Sequence, residues 1–549
     1  MYFQGQGTVP IPGQDLLSWI FDKPTYDQDR PVAFDAADPS INISLRQART
    51  NVRKIIAGLQ SFGLEKGSCV CLHSFNDINF TMLVLGIVGA GYVFAGTNPS
   101  YTTHELIHHI KTSRAKFLMT EPEMLGAITH AADACGIPRS NILILDFHNQ
   151  AIPQGFQSWK VLLGHGEQDW VRFDDEETSK NTTATRLFSS GTTGLPKAVE
   201  HSHYNFVAHH TMVFEADKKP YPKERYVHCL PMFHAATVPM VHFSTFRAGH
   251  ENYVMRRFDL EQFLANIEKY KVTHVITVPP MVIQIIMSPL SKKYSLRSVK
   301  SAWCGAAPLD KITQARFQAL MAPNSPVTQV WGMTEVTCVG SLIRYPEHDV
   351  TGSVGRLIPN MEAKLVDEDD NNISAYDKRG ELLVRGPTLV RGYFDNPTAN
   401  QASYDHEGFF RTGDIAYCDG KTKLWYIVDR KKELIKVRGF QVAPAELEAV
   451  IMDHPHIVDA AVIGIYASAS EEHPRAYVVR RATPEGAALT EDDIKAHVLE
   501  RLAKYKSLTG GVRFVESIPK NASGKILKRI YREEAAKEAK QIAGGSTKL

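Results

Sequence analysis

The sequence predicts an α/β protein: a large N-terminal unit of several subdomains, followed by a small α+β unit at the C-terminal end. Three observations predict it. From about residue 43 to 330, helix-like stretches alternate with short apolar runs, as in sheets covered by helices. After about residue 350, short strands crowd together between Gly, Pro and Asp turns, which marks a β-rich subdomain. At Asp429-Arg430-Lys431-Lys432-Glu433 a charged run breaks the apolar pattern, so a boundary is placed near Lys432.

Taken in order, Ser44 to Leu59 reads as a helix and Cys69 to Ser74 as a strand after Gly67. Phe80 to Ala90 is an apolar helix rich in small residues. Candidate strands follow at Lys116 to Met119, Ile142 to Leu145, Thr185 to Phe188, Val227 to Leu230, His274 to Val278 and Ser298 to Cys304. Glu261 to Tyr270, Pro280 to Met287 and Lys311 to Met321 read as helices between them. The β-rich part offers Ala363 to Val366, Gly380 to Val384 and Leu424 to Val428. Beyond Lys432, Pro444 to Met452, Asp459 to Ile465, Ala476 to Val479 and Glu491 to Lys504 read as helix, strand, strand and helix.

Composition sets bounds on function. The chain has 549 residues, long enough to bury a large core without disulfide staples. With 62 basic and 60 acidic side chains the formal charge is only +2, which gives no electrostatic case for nucleic acid or an anionic membrane. Any phosphate must be handled locally. The seven cysteines form no CxxC pair and are odd in number, so they read as reduced thiols of an intracellular protein. No run reaches the roughly 18 apolar residues of a membrane span. Met1-Tyr2-Phe3-Gln4-Gly5 reads as the remnant of a cleavable tag, so residues 1–6 are left out of the fold. Thr547-Lys548-Leu549 comes close to a peroxisomal Ser-Lys-Leu address; without it a cytoplasmic location is expected.

The most informative stretch is Ser189-Ser190-Gly191-Thr192-Thr193-Gly194-Leu195-Pro196-Lys197. Its glycines let backbone N–H groups approach a phosphate, its hydroxyls donate to phosphate oxygens, and Lys197 adds charge. It does not satisfy the Walker A spacing. A plain polar turn between strand and helix is the bland alternative.

This loop resembles the signature of the adenylate-forming superfamily, which includes acyl- and aryl-CoA synthetases, coumarate-CoA ligases, beetle luciferases and peptide-synthetase adenylation domains. In that family it grips the β- and γ-phosphates of ATP. Ala198 stands where most members have Gly. The other family motifs follow in order. Pro231-Met232-Phe233-His234 resembles the PxFH segment, whose histidine lies between acyl pocket and thiol path. Cys304-Gly305-Ala306-Ala307-Pro308 resembles the small-residue loop beside adenine and the acyl group, and Pro308 and Asp310 would also open a helix. Trp331-Gly332-Met333-Thr334-Glu335 is similar to (Y/W)GxTE. The resemblance implies adenine stacking for Trp331, α-phosphate contact for Thr334 and Mg²⁺ on Glu335. Phe410-Arg411-Thr412-Gly413-Asp414 is similar to YRTGD, implying that Asp414 accepts from both ribose hydroxyls.

Asp429 to Gln441 resembles the family's hinge and the loop after it. By position Arg430 joins the ribose contacts, Lys432 is the hinge, and Lys436 and Gln441, with Arg438 and Gly439 in the same loop, serve the second half-reaction. Pro519-Lys520-Asn521-Ala522-Ser523-Gly524-Lys525 resembles the PKxxxGK tail, whose last lysine acts in adenylation. The resemblance spans nearly the whole chain. It implies an N-terminal ATP- and acid-binding domain over 7–431 (β-rich over 350–431) and a mobile catalytic domain over 432–549. It implies ATP, Mg²⁺ and coenzyme A as cofactors, a small carboxylic acid as substrate, and His234, Ala236, Gly305, Val330 and Val339 around the acid. Thr193, with Lys525, Lys436, His234 and Gln441, completes the expected catalytic set.

Three alternatives stay open: a ligase loading a separate carrier protein, a luciferase-like oxygenase, and a non-catalytic nucleotide-binding protein. The intact Glu335, Asp414, Lys436 and Lys525 argue against the last. His201, His203, His209 and His210 cluster densely, but no Cys or carboxylate completes a metal-ligand spacing. The acid itself and the oligomeric state are not legible.

Overall fold

A computed structural model describes residues 2–189, 196–216, 224–437, 440–468, 471–502, 504–521 and 524–545. Two seven-stranded sheets, both mainly parallel, form the body of the N-terminal part. The first runs in the order Lys197–Ser202, Thr183–Ser189, Val93–Thr97, Cys69–His73, Ala115–Thr120, Ile142–Ile144 and Gln157–Ser158. All five residues of its central strand, Cys69–His73, are buried, as expected for a strand covered on both faces. The second runs Val327–Gln329, Ser301–Cys304, His274–Thr277, Arg225–His228, Glu251–Val254, Pro31–Asp35 and Asn42–Ser44.

Local chemistry sets the helices. Ser44 and Gln47 form a capping box that starts Leu45–Ser61, and an apolar stripe of Val52, Ile55, Ile56 and Leu59 on that helix is buried. Asp310 accepts from the N–H groups of Ile312 and Thr313 and starts Lys311–Leu320, as its place after Pro308 predicts. Pro444 opens Pro444–Met452 at its first turn, with the bounds the sequence predicts.

The crowded strands after residue 350 form a five-stranded antiparallel sheet, Phe3–Gln4, Glu362–Val366, Gly380–Arg385, Phe410–Cys418 and Trp425–Arg430. Its first strand corrects the exclusion of the opening residues from the fold. Phe3 pairs with Ala363, is 4% exposed, and sets its ring 5.0 Å from that of Trp425. Composition at a terminus carries no trace of such a long-range pairing.

Past Arg430 the sheets are small: Ile435–Val437 with Phe440–Val442, and Ile457–Ser468 with Glu471–Arg480 and Val512–Phe514. Ile435, Leu447, Ile451, Val462, Val478 and Val498 form a core of their own there. No helix among the described residues is long and apolar enough to cross a membrane.

Candidate active site

Strand Thr183–Ser189 pairs antiparallel with Lys197–Ser202, Ser189 opposite Lys197, so the hydroxyl-rich loop closes a hairpin rather than leading into a helix. Ser190, Gly191, Thr192, Thr193 and Gly194 lie outside the described residues. The loop's two ends, Ser189 and Lys197, face a cavity of ≈ 1110 Å³. The Lys197 ammonium sits 4.5 Å from the ring centroid of Tyr393, and His108 reaches the Pro196 carbonyl at 2.9 Å.

The cavity opens beyond the carboxyl ends of three adjacent parallel strands, where ligands gather in α/β sheets. His274–Thr277, Ser301–Cys304 and Val327–Gln329 deliver Ile276, Thr277, Trp303, Gly305 and Val330 to its wall. His234, Ala235, Ala236, Met240 and Val339 also line it. A Cβ at Gly305 would stand 3.0 Å from Val330 Cγ2, so these two are packed side by side. Ala306 adopts φ +71° without being glycine, and it too faces the cavity, whereas Ala307 is not among the lining residues. Desolvation pushes His234 down to about 4, leaving the imidazole neutral. Its Nδ1 accepts the Ala236 N–H at 3.1 Å, so the ring proton stays on Nε2.

Gly332, Met333, Thr334 and Glu335 line the same cavity. Only glycine fits at 332, because a Cβ would lie 1.5 Å from the Cys338 carbonyl oxygen. Glu335 is 5% exposed and accepts the Tyr393 hydroxyl at 2.8 Å. Trp331 stands apart: it is 7% exposed, is not among the lining residues, and donates its indole N–H to Asp414 Oδ2 at 2.8 Å. Asp414 is 2% exposed, and its Oδ1 meets Arg430 Nε at 2.7 Å. Both carboxylate oxygens thus have protein partners, and Arg430 rather than Asp414 is the group on the cavity wall.

Lys432 and Lys525 also line the cavity. Burial, then the Arg430 charge, lowers the Lys525 pKa, while Glu433 and Asp414 pull it back up. Lys436 and Gln441 are backbone partners across Ile435–Val437 and Phe440–Val442; their side chains, and Arg438 and Gly439, lie outside the described residues. The four clustered histidines have separate partners in the core. His201 reaches the Thr334 carbonyl, His203 accepts from Leu16 N–H, His209 from Val339 N–H, and His210 meets Ser244 Oγ. Burial lowers each below its ordinary pKa.

Sequence reasoning missed Tyr393, Trp303 and His108, which no motif marks. It also missed two ion pairs among the lining residues, Lys431 Nζ with Glu381 Oε2 at 2.7 Å and Arg411 with Asp370 at 2.6 Å.

Residues 22–394 match the AMP-binding enzyme family and residues 446–525 its C-terminal domain. The chain is 53% identical over 535 residues to the acyl-CoA ligase azaF of Aspergillus niger, covering 96% of this chain and 100% of the relative. It is 52% identical to the phenylacetyl-CoA ligase epaB of Aspergillus niger, covering 97% and 99%. Among solved structures, ATP-bound MatB from Rhodopseudomonas palustris superposes with a TM-score of 0.83 at 26% identity, covering 95% and 98%.

Proposed function

The chain belongs to the AMP-binding enzyme family and is an AMP-forming acid–CoA ligase, and on that premise we propose which residues perform each step and what kind of acid is taken. The enzyme uses ATP and coenzyme A. Relatives named as CoA ligases over nearly the whole chain do not favour a carrier-loading or luciferase-like activity.

In the first step a carboxylate oxygen attacks the α-phosphorus of ATP and pyrophosphate leaves. Two anions must be brought together, so catalysis rests on neutralising charge and on alignment. The single observation that carries the assignment is that Lys197, Glu335, Arg430 and Lys525 converge on one cavity whose other wall is apolar. Lys197 and the loop 189–197 hold the outer phosphates, Thr334 and Lys525 the α-phosphate region, and Arg430 the ribose end. Glu335 is a buried, hard-oxygen donor on the wall, and it fits Mg²⁺ held by one carboxylate together with substrate phosphates. The ion would supply charge neutralisation there.

In the second step the thiol of coenzyme A attacks the acyl carbonyl and AMP departs. A second cavity of ≈ 390 Å³ shares Leu230 and Val278 with the first and carries Arg256, Arg257 and Lys520, which supports it as the approach of an anionic thiol. His234 lines the first cavity together with Leu230, and we read it as the group between acid and thiol. The domains 7–431 and 432–549 alternate about Lys432, so that Lys525 serves the first step and the Lys436–Gln441 strand pair the second.

Ile276, Trp303, Val330, Val339, Met240 and Ala236 give the acid an uncharged surround. That supports a monocarboxylic acid with an apolar body, and the name of one relative makes an arylacetic acid the first to try. The test is acid-dependent ATP–pyrophosphate exchange by the full chain across arylacetic, benzoic, aliphatic and dicarboxylic acids. Exchange with apolar acids and none with dicarboxylic acids is expected; a preference for dicarboxylic acids would refute the apolar reading. A peroxisomal address in Thr547-Lys548-Leu549, as against a cytoplasmic location, is tested by fusing the C-terminal segment to a fluorescent protein. A diffuse signal would reject it.

A further inference from the structure

Trp331 is buried, does not line the cavity, and directs its indole N–H at a carboxylate. Strands Phe410–Cys418 and Trp425–Arg430 place Asp414 directly opposite Arg430. Arg430 Nε then meets Asp414 Oδ1 at 2.7 Å, and its Nη1 donates to the Thr412 carbonyl at 3.2 Å. Trp331 comes from outside this sheet and donates to the other oxygen, Oδ2, at 2.8 Å. Asp414 N–H bonds to Thr412 Oγ1 at 3.1 Å, and Thr412 Oγ1 donates to the Leu382 carbonyl at 2.7 Å.

A carboxylate this deeply buried must have partners on both oxygens, or it takes up a proton or swings away. One partner leaves its plane free to turn. Two donors on opposite oxygens fix it, and the guanidinium that it holds is fixed with it. Arg430, Thr412 and Gly413 face the cavity beside Lys525, whereas Trp331 and Asp414 stand one layer behind. Packing alone does not require an N–H at this point.

We infer that Trp331 is a positioning residue for the nucleotide: its indole N–H locks Asp414, which fixes the direction in which Arg430 meets the cavity. The inference rests on the reading that Arg430 faces the ribose end. Trp331→Phe keeps an aromatic ring and deletes the N–H, leaving Asp414 Oδ2 buried without this donor. The KM for ATP in acid-dependent pyrophosphate exchange should rise about tenfold, the scale of a lost hydrogen bond to a charged group. The KM for the acid at saturating ATP should stay within about twofold. Trp331→His is smaller but retains a ring N–H, so it should keep the KM for ATP nearer to wild type than Phe does. A role in packing alone ranks the two the other way. If the Phe variant does not fold, Trp331→Leu against Trp331→His makes the same comparison.

In an Arg430→Ala background the Phe change should add less than about twofold, because the group being aimed is gone. If Arg430→Ala raises the KM for ATP while Trp331→Phe does not, the inference is overturned and the site reading stands. If Arg430→Ala leaves that KM unchanged, the ribose-end reading falls, and the inference with it.

Discussion

The carboxylate of Asp429 accepts the backbone N–H of Ala445 at 3.0 Å, and so caps a helix that begins beyond the expected hinge. Ala443, at the start of Pro444–Met452, has no side-chain cap of its own. Asp429 therefore takes an orphan N–H that the small domain cannot satisfy internally. Lys528 packs into the same region, where burial pulls its pKa down but Glu448, Asp429 and Glu433 pull it further up. Rotation about Lys432 would part Asp429 from Ala445.

The first prediction follows from the charge on this cap. Burial pushes Asp429 up to about 6, against partial relief from Lys528 and Ala445 N–H and with Glu448 and Glu433 adding to the rise. In the parted orientation the group regains water and an ordinary carboxylate pKa near 4. The orientation with the higher pKa binds the proton more tightly, so lowering the pH through about 6 favours the capped, adenylating orientation. Thioester formation should fall relative to pyrophosphate exchange by about tenfold at pH 5, and Asp429→Asn should flatten that dependence. For folding, the same sign holds: the contribution is most favourable below about 4 and is lost as the pH rises through about 6. A ratio of the two half-reactions that does not change between pH 5 and 8 would reject the latch.

Lys525 and Lys436 should separate cleanly. Lys525→Ala should slow pyrophosphate exchange roughly a hundredfold or more, since it removes a cation needed only while charge builds on the α-phosphate. Thioester formation from supplied acyl-adenylate should survive. Lys436→Ala should show the reverse pattern. Quench-flow assay of each half-reaction checks both, and equal losses in the two halves would defeat the assignment.

How much of this was legible depended on where the chemistry is stored. Gly332-Met333-Thr334-Glu335 could be read because the whole constellation sits in one continuous run, and the cavity brings it to Lys197 and Lys525. The stretch before Lys197 reads as a phosphate cradle, yet the antiparallel pairing of its two flanking strands does not show, because Lys197–Ser202 carries Glu200 and His201 and lacks an apolar strand pattern. Strand Val93–Thr97 was missed because its Val93-Phe94-Ala95-Gly96-Thr97 follows the apolar helix Ile78–Gly89 with almost no polar break. Phe3, Tyr393 and Asp429 act through partners far away in sequence or across a boundary, and local pattern holds no record of those. Trp331 was recognised and given a stacking role. Its contact with Asp414 depends on how two separate sheets meet, which no motif encodes.

Gly332→Ala should be among the most damaging small changes. The added Cβ would meet backbone, the Cys338 carbonyl oxygen at 1.5 Å, so the loop has to move. Overpacking against backbone destabilises by about 1–3 kcal/mol, and here it also displaces Glu335. Thermal melting should show a lower Tm, and exchange activity should fall further than Tm alone explains. Wild-type values in both would mean the loop has more room than its geometry allows.

Val330→Gly tests the acid pocket directly. Val330 lines the cavity beside Gly305, and its N–H is tied to the Cys304 carbonyl at 3.0 Å, so its backbone is anchored and its isopropyl group is held in place. Its two methyl groups occupy volume that a flat ring would need against the wall. Overpacking of that kind is worth about 1–3 kcal/mol, or roughly tenfold per 1.4 kcal/mol in acid choice. Ala235 and Ala236 face the same cavity and offer compensating room, so the wild-type enzyme is expected to favour acids that are slim near Val330. Removing the side chain should raise kcat/KM for bulky aromatic acids relative to slim aliphatic ones, with the KM for ATP unchanged. Because Gly305 needs no side chain to support it, the fold should tolerate the change, and a melting curve checks that point. An unaltered ranking of acids in a folded variant would move the acid away from Val330 and toward the wall formed by Trp303 and Met240.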